Sequence, residues 1–318
     1  MRRYLPLVVT MVFWGSAFAA SKSAVADVPH HVAALLRFGA GAVILSVVLV
    51  LRSGKGTPVR GRDLPAVAVL GMLGVFTYNL LFFWGLSLAP AIDGSVIVPV
   101  MSPVLTTAAM VLLGRERLTG PRLAGLVTAV AGASVFFAAT VRSAGSLGGS
   151  RTVGDGIFFL AAASWAAYTI RGRPVLSRLE PLRVTAYATA AGAALLALVA
   201  VPSLSTVAWS GLSVGFWLNV AYLAVFPTAV AYVLYYRGVR AVGPTRAATV
   251  MFVVPVVGIV CSSLFLGESI TPGQAVGSVG MVAGAWLAII GLPRRAAKAP
   301  EPAAPADPPH RRLISGTA

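Results

Sequence analysis

The chain has 318 residues, of which 58% are hydrophobic and only 11% are charged, and its mean hydropathy is +0.86. A water-soluble protein of this length would need far more charge on its surface, so the composition excludes an ordinary soluble fold. The net charge of +16 could suggest a nucleic-acid partner, but the placement of the basic residues described below argues against one.

Apolar stretches of about 17–25 residues, the length that an α-helix needs to cross a bilayer, recur along the whole chain. The shorter alternating strands typical of a membrane barrel are absent from the sequence. We therefore predict an all-α membrane protein with ten transmembrane helices. The predicted spans are 4–20, 30–51, 64–84, 93–113, 121–141, 154–172, 183–201, 213–235, 243–266 and 272–291.

The first span has the features of a cleavable signal peptide. Two arginines precede an apolar stretch, and small residues at Ala17 and Ala19 resemble a cleavage site. Cleavage would leave nine spans and would remove the partner of the span that contains Trp165. We therefore expect this segment to be retained as the first transmembrane helix.

The second half of the chain repeats the first. Matched residues are 152 positions apart in the later spans of each copy, and 151 or 153 positions apart in the earlier spans. The matched pairs are Pro103 with Pro255, Glu116 with Glu268, Thr119 with Thr271, Gly125 with Gly277, Gly132 with Gly284, Trp14 with Trp165, Lys22 with Arg173, Gly85 with Gly238 and Phe82-Phe83 with Tyr235-Tyr236.

Each copy holds five spans, and this odd number makes the two copies cross the membrane in opposite directions. Inverted repeats of this kind let a carrier open alternately to either side of a bilayer, so transport is the leading function. We predict one five-helix repeat at 1–141 and a second at 154–291, joined by an inter-repeat loop at 142–153. A disordered cytoplasmic tail, rich in alanine, proline and charge, is predicted at 292–318.

The basic residues predict the orientation of the chain in the membrane. If the amino terminus is cytoplasmic, 21 of the 25 Lys and Arg residues fall in the cytoplasmic connections and termini. This bias follows the positive-inside rule. We therefore predict a multi-pass protein of the cytoplasmic (inner) membrane with both termini in the cytoplasm, where the basic residues orient the protein and bind no nucleic acid.

Several local patterns together resemble the EamA-type exporters of the drug/metabolite transporter superfamily, and this resemblance covers about residues 5–291. The patterns are Phe13-Trp14-Gly15-Ser16-Ala17-Phe18 with a closing Lys22, Leu36-Arg37-Phe38, Pro99 with Pro103 before Gly114-Arg115-Glu116-Arg117-Leu118, and Pro255 before Leu266-Gly267-Glu268-Ser269-Ile270.

The resemblance implies a ten-helix inverted-repeat carrier that exports amino acids, related metabolites or small toxic compounds, often driven by a proton gradient. Two positions depart from the family pattern. Arg115 interrupts the first Gly-Glu pair, and Ala17 stands where family members often carry a polar residue.

A charged residue and a set of aromatic and amide groups are candidates for the substrate site. Arg37 lies about two turns into the second span, where a charge costs roughly 2.5–3.5 kcal/mol. It either attracts a substrate carboxylate or phosphate, or has a structural role through an ion pair with Asp27 or Asp93 or through carbonyls at a broken helix. The predicted substrate-binding residues are Trp14, Arg37, Tyr78, Asn79, Phe82, Trp165, Tyr168 and Tyr232.

All nine acidic residues fall at span ends, in connections or in the tail, so the sequence has no carboxylate in mid-membrane for a proton relay. Asp93 is the proton-coupling candidate, and its alternative is a helix N-cap. Pro103 and Pro255 occupy matched positions and are predicted hinges, although kinks that serve packing alone would look the same. Glu116 and Glu268 are expected to orient turns or to form a gating ion pair.

Other functions are less well supported by the residues. A carrier for phosphorylated or nucleotide-linked sugars is the alternative within transport, but it would need several buried basic groups. An enzyme is not expected, because no span pairs a nucleophile with a base, and no catalytic residue, cofactor or metal site is predicted. A channel or scaffold would also fit a membrane bundle. The partners expected are a small-molecule substrate, membrane lipid and, if transport is coupled, a proton, while the oligomeric state stays open.

Overall fold

The computed structural model describes residues 4–52, 59–115, 118–144, 149–176, 178–235 and 250–290. Ten long helices run through these residues, which contain no β-strand. In chain order they are α1 Leu5–Asp27, α2 His30–Leu51, α3 Gly61–Leu88, α4 Ala91–Leu112, α5 Gly120–Ala144, α6 Ser150–Leu176, α7 Pro181–Leu204, α8 Val214–Tyr235, α9 Val253–Leu266 and α10 Pro272–Ile290.

The prediction of an all-α membrane protein is confirmed. The helices from α1 to α8 are long and apolar enough to cross a bilayer. Helix α9 is shorter in its described part, and the predicted start of the ninth span at 243–249 lies outside the described residues. The predicted tail at 292–318 also lies outside them.

Several helices extend further than their apolar stretches indicated. The predicted first span ended at residue 20, with Lys22 just beyond it, but α1 continues to Asp27. The extension is stable because Ser21 is fully buried and the Lys22 ammonium donates to carbonyls of α3. Helices α5 and α6 likewise extend into the stretch at 142–153 that was assigned to the inter-repeat loop.

Helices α5 and α10 make the most extensive helix-to-helix contact in the described chain. A Cβ atom added to Gly125 would lie 2.7 Å from the Gly284 oxygen, and one added to Gly132 would lie 2.8 Å from the Gly277 oxygen. The two helices therefore run antiparallel. Because Gly125 matches Gly277 and Gly132 matches Gly284, exchanging the two copies maps this contact onto itself.

The same exchange relates two further helix pairs. In the first, a Cβ at Gly41 of α2 would contact the Thr228 side chain of α8 at 2.7 Å. In the second, a Cβ at Gly192 of α7 would contact Val75 of α3 at 2.6 Å. Gly41 and Gly192 are 151 residues apart, and Val75 and Thr228 are 153 apart, as the repeat requires. Each copy therefore packs its second helix against the third helix of the other copy.

Both third helices contain a π-helical turn at the matched position, Met72–Thr77 in α3 and Ala224–Val230 in α8. Pro227 lies within the second turn, and the residue matched to it, 153 positions earlier, is Gly74. A π-turn leaves carbonyl groups without their usual partners four residues on, and such turns often occur at functional sites. Side chains from other helices reach both turns, as described below.

The fourth helices of the two copies end in the same way. Gly114 after α4 and Gly267 after α9 both have φ of +65°, in the left-handed region that glycine adopts without a steric penalty. A left-handed residue closes the last turn of a helix and lets the chain turn sharply. Arg115 lies after the first glycine and is exposed, so the interruption of the Gly-Glu pair leaves this ending intact.

Candidate functional site

A central cavity of about 70 Å³ lies between the two copies and is lined by residues of α1, α2, α3, α4, α6, α8 and α9. Seven of the eight predicted substrate-binding residues line it: Trp14, Arg37, Tyr78, Asn79, Phe82, Trp165 and Tyr232. Pockets that hold small ligands are typically about 300–1,000 Å³. A ligand of ordinary size therefore fits this cavity only if its walls move apart.

Aromatic rings from both copies form a continuous wall of the cavity. The matched residues Trp14 and Trp165 meet edge to face, with ring centroids 6.5 Å apart. Tyr232 packs against Trp14 at 5.9 Å, and Tyr78 packs against Trp165 at 4.9 Å. These rings present apolar faces that carry partial negative charge, so they suit an apolar side chain or a cation.

Arg37 brings a buried positive charge to this cavity, with only 7% of its surface exposed. Its Nε donates to the Thr228 hydroxyl and its Nη1 donates to the Ser21 hydroxyl, both at 3.3 Å. Both partners are neutral, so the expected structural ion pair with Asp27 or Asp93 does not form. Among the described residues that line the cavity there is no carboxylate, and the guanidinium charge is therefore not neutralised there.

Asn79 adds a hydrogen-bond acceptor to the cavity. Its side-chain Nδ2 donates to the Val75 carbonyl at 2.8 Å and more weakly to the Gly74 carbonyl, which lie in the π-turn of α3. Its Oδ1 is buried and has no donor among the described residues. A buried amide oxygen without a partner is costly, so this atom is suited to accept an N–H group from a bound ligand.

Side chains from the first helix of each copy also reach the π-turns of the opposite copy. The Trp14 Nε1 donates to the Pro227 carbonyl at 3.1 Å, and the Ser164 hydroxyl donates to the Leu73 carbonyl at 2.8 Å. The π-turns thus connect α1 to α8 and α6 to α3 beside the cavity. A change in the α8 turn would therefore move Trp14 of the aromatic wall.

Tyr168 and the two predicted hinge prolines do not line the cavity. Tyr168 packs on Trp165, with ring centroids 5.2 Å apart, and covers Gly74. Pro103 lies inside α4, whereas its match Pro255 lies in the first turn of α9, where a proline needs no hydrogen-bond partner. Pro99, rather than Pro103, lines the cavity.

The turn between α3 and α4 is held by two charged residues from elsewhere in the chain. The Lys22 ammonium donates to the carbonyls of Leu86 and Ala89 at 2.6 and 2.9 Å. The Glu268 carboxylate accepts from the backbone N–H groups of Ala91 and Ile92, both at 2.8 Å. Glu268 therefore caps the start of α4, and it forms no ion pair with another described residue, as the gating alternative would require. Glu116 lies outside the described residues.

Two influences on the Glu268 carboxyl group oppose each other. Burial raises its pKa above the ordinary value, while the N–H donors of α4 and the Lys22 charge lower it. The net direction is upward, so this carboxylate is easier to protonate in the folded protein than in the unfolded chain.

Asp93 is fully buried in the first turn of α4, but it does not cap the helix as the alternative prediction held. Its carboxylate forms a two-pronged ion pair with Arg151 of α6, with Nε to Oδ2 at 2.7 Å and Nη2 to Oδ1 at 2.9 Å. Sequence reasoning assigned Arg151 to a connection and missed this pair. The signal was available, because the predicted orientation places the start of both helices on the same side of the membrane.

The helical repeats, the cavity between them and the antiparallel matched helices define the class of the protein: a membrane carrier built from inverted repeats. Comparison with known families identifies it further. The model of the EamA-like transporter family matches the chain twice, over residues 2–138 and 152–290. The chain therefore belongs to the EamA-like transporter family.

Curated relatives share nearly the whole chain. The uncharacterized transporter YyaM of Bacillus subtilis (strain 168) is 27% identical over 297 residues, covering 92% of this chain and 95% of the relative. The "Probable terminal-alkyne amino-acid exporter" of Streptantibioticus cattleyicolor is 29% identical over 285 residues, covering 88% and 91%. A solved crystal structure also has this fold, with a TM-score of 0.61 at 22% identity over 91% of this chain and 96% of that one.

The alternative carrier for phosphorylated or nucleotide-linked sugars is not supported. Such substrates carry several negative charges and would need a group of buried basic side chains. Arg37 is the one basic residue among the described residues that line the cavity. Lys22, the second basic residue considered for this role, is bound to carbonyls at the end of α3.

Proposed function

We propose that the protein is a secondary exporter of small metabolites that carry a carboxylate, with amino acids and related compounds as the leading class. Transport proceeds by alternating access around the central cavity. The observation that carries the proposal is Arg37, a buried guanidinium that faces the cavity and donates to two neutral hydroxyl groups, those of Ser21 and Thr228.

The cavity complements an amino acid in three ways. The guanidinium of Arg37 binds the carboxylate through charge-assisted hydrogen bonds. Asn79 Oδ1 accepts from an N–H group of the ammonium, and the aromatic wall binds the apolar part of the side chain. The exporter named in Streptantibioticus cattleyicolor supports the same substrate class. Small toxic compounds that lack a carboxylate would use only the aromatic wall.

The orientation follows the positive-inside rule, so the protein lies in the cytoplasmic membrane with both termini in the cytoplasm. In this orientation the turn held by Lys22 and Glu268 faces the outside. Asp93 lies at the same end of the bundle and is proposed to take part in proton coupling. Pro103 and Pro255 are the proposed hinges, next to a cavity whose walls have to separate.

Counterflow in proteoliposomes tests the role of Arg37. Purified protein is reconstituted, loaded with one amino acid from a panel, and assayed for uptake of the labelled compound and of its carboxamide. Hydrogen bonds to charged groups contribute about 1.5–3 kcal/mol, so Arg37→Met should weaken binding of the amino acid by about 10- to 150-fold. The carboxamide, which lacks the negative charge, should be transported equally by both proteins.

Arg178→Met is the matched control, because Arg178 is exposed and donates to the Pro174 carbonyl four residues earlier in the chain. It should transport like the wild type. If Arg37→Met kept the preference for the amino acid over the carboxamide, the guanidinium would not bind the carboxylate and the proposed substrate class would be wrong. Equal uptake of cationic drugs by both proteins, without amino-acid uptake, would favour export of toxic compounds.

A further inference from the structure

A second group of buried polar residues lies where α4, α6 and α10 begin and α5 ends, away from the residues that line the cavity. We call these five residues the end cluster. Four of them are fully buried. The fifth is Arg151, whose partly exposed side chain reaches them from α6. The members of the end cluster are Asp93, Thr140, Arg151, Asp155 and Gln274.

Hydrogen bonds in the end cluster join the two copies of the repeat. Asp93 belongs to the first copy, and the ion pair to Arg151 ties it to the second. Gln274 of α10 donates from Nε2 to the Thr140 hydroxyl at 3.0 Å and to Asp93 Oδ1 at 3.4 Å. The copies must separate at one end for alternating access, so this cluster has to break when that end opens.

Asp155 is the member of the end cluster that these bonds leave out. It is fully buried, and neither of its carboxyl oxygens has a hydrogen-bond donor among the described residues. An ionised carboxylate in such a place is strongly disfavoured, and more so beside a second carboxylate, that of Asp93. One guanidinium lies beside two carboxyl groups here, so a proton on Asp155 would balance the charge.

The other charged groups that face the end cluster are already engaged. Lys22 of α1 donates to carbonyls of α3, and Glu268, in the turn between α9 and α10, accepts from the start of α4. Arg151 lies on the same helix as Asp155, four residues earlier. Side chains four residues apart on a helix are neighbours, so Arg151 can reach either Asp93 or Asp155.

We propose that Asp155 is a proton-binding site that switches the partner of Arg151. With the proton bound, Arg151 pairs with Asp93 and holds α4 against α6. When the Asp155 proton leaves to water at that end of the bundle, the carboxylate attracts Arg151 along its own helix and the hold on α4 weakens. The site takes a proton and no other ligand.

In the sequence, neither carboxylate of the end cluster has an acidic counterpart in the other copy. The position matched to Asp155 at a spacing of 151 is Tyr4, and the position matched to Asp93 at 152 is Thr245. The proton switch therefore acts on one end of the bundle only. Such asymmetry is what a carrier needs if protons are to act from one side of the membrane. This inference rests on the alternating access of the proposed function.

Distance measurements on the full-length protein in lipid test the switch. Spin labels are placed at Ser87→Cys in α3 and Val153→Cys in α6, both exposed, in a Cys261→Ala background. Pulsed electron resonance then records the distance between the labels from pH 5 to pH 9. In the otherwise unchanged protein, the ratio of long to short distances should rise with pH by at least about tenfold, because the pair that holds α4 loses its partner.

Asp155→Asn should remove this pH dependence and keep the short distance throughout, and Asp155→Ser provides the same test if the first variant does not fold. Asp93→Asn should favour the long distance at every pH. Asp27→Asn, an exposed acid at the same end, is the control and should behave as the parent protein does.

An unchanged pH dependence in Asp155→Asn or Asp155→Ser would overturn the proposal. A distance that followed sodium concentration at fixed pH would also overturn it, since the end cluster would then bind a metal cation. Counterflow assays separate this idea from the proposed function. Loss of amino-acid counterflow with an intact distance switch would count against the substrate class alone, and counterflow without the switch would count against the proton site alone.

Discussion

Replacing Gly132 with alanine tests the close antiparallel packing of α5 and α10 on which the inverted architecture depends. The added Cβ would lie 2.6 Å from the Gly280 carbonyl carbon and 2.8 Å from the Gly277 oxygen. Both are backbone atoms of α10, so no side-chain rotation can relieve the overlap. Helix α10 has to shift away from α5.

The size of the effect follows from two opposing contributions. Overpacking of a tight interface costs about 1–3 kcal/mol. Alanine in a helix gains about 0.5–1 kcal/mol over glycine. We therefore expect Gly132→Ala to lower the free energy of unfolding by about 1–2 kcal/mol. The matched variant, Gly284→Ala, should lose a similar amount, because its Cβ would lie 2.7 Å from the Gly125 oxygen.

The assay is reversible unfolding in mixed micelles, with denaturing detergent titrated against the tryptophan fluorescence of the purified protein. Gly156→Ala is the matched control, because no atom lies within 4 Å of its added Cβ. This variant should be as stable as the wild type or more stable. Equal stability of Gly132→Ala and Gly156→Ala would refute the close contact between the two matched helices.

Three further predictions concern single contacts. Lys22→Met leaves two carbonyls at the end of α3 without their donor, so the unfolding free energy should fall by about 1–3 kcal/mol in the same micelle titration. An unchanged unfolding free energy would show that this contact does not stabilise the protein. The pKa of Glu268 is raised in the folded protein, so its contribution to the unfolding free energy is present below about pH 4.3 and is lost as pH rises through the folded pKa. Glu268→Gln should remove this part of the decline. Parallel plots of unfolding free energy against pH for the variant and the wild type would contradict the assignment. Trp14→Phe keeps a ring in the aromatic wall but loses the hydrogen bond to the Pro227 carbonyl, which contributes about 1 kcal/mol. The variant should therefore raise the KM for counterflow about fivefold. A wild-type KM would show that this hydrogen bond does not position the ring.

Much of the cavity followed from the sequence because its members recur at matched positions. The repeat spacing pairs Trp14 with Trp165, and the two rings meet in the structure. Arg37 and Asn79 were selected because polar groups in an apolar span seldom face lipid. Tyr168 was selected with them one turn after Trp165, but helix rotation turns it toward Gly74 instead.

The contacts that hold the turn between α3 and α4 could not be predicted. Glu268 caps a helix that begins 177 residues earlier in the chain, and no local pattern relates the two. The sequence suggested that a glutamate after a helix orients its own turn or forms a gating ion pair. The matched π-turns were missed for a different reason: one contains Pro227 and the other contains Gly74, so the residue types at the matched position differ.

The sequence alone determined the membrane class, the succession of spans and the relation between the two copies, because length, hydropathy and residue spacing are read along the chain. Tertiary structure decided which charges meet. Asp93 and Arg151 are 58 residues apart in the chain, and helix packing leaves the buried Asp155 without a hydrogen-bond donor among the described residues. Burial and pairing depend on how helices rotate and pack against one another, and that geometry is a property of the whole bundle.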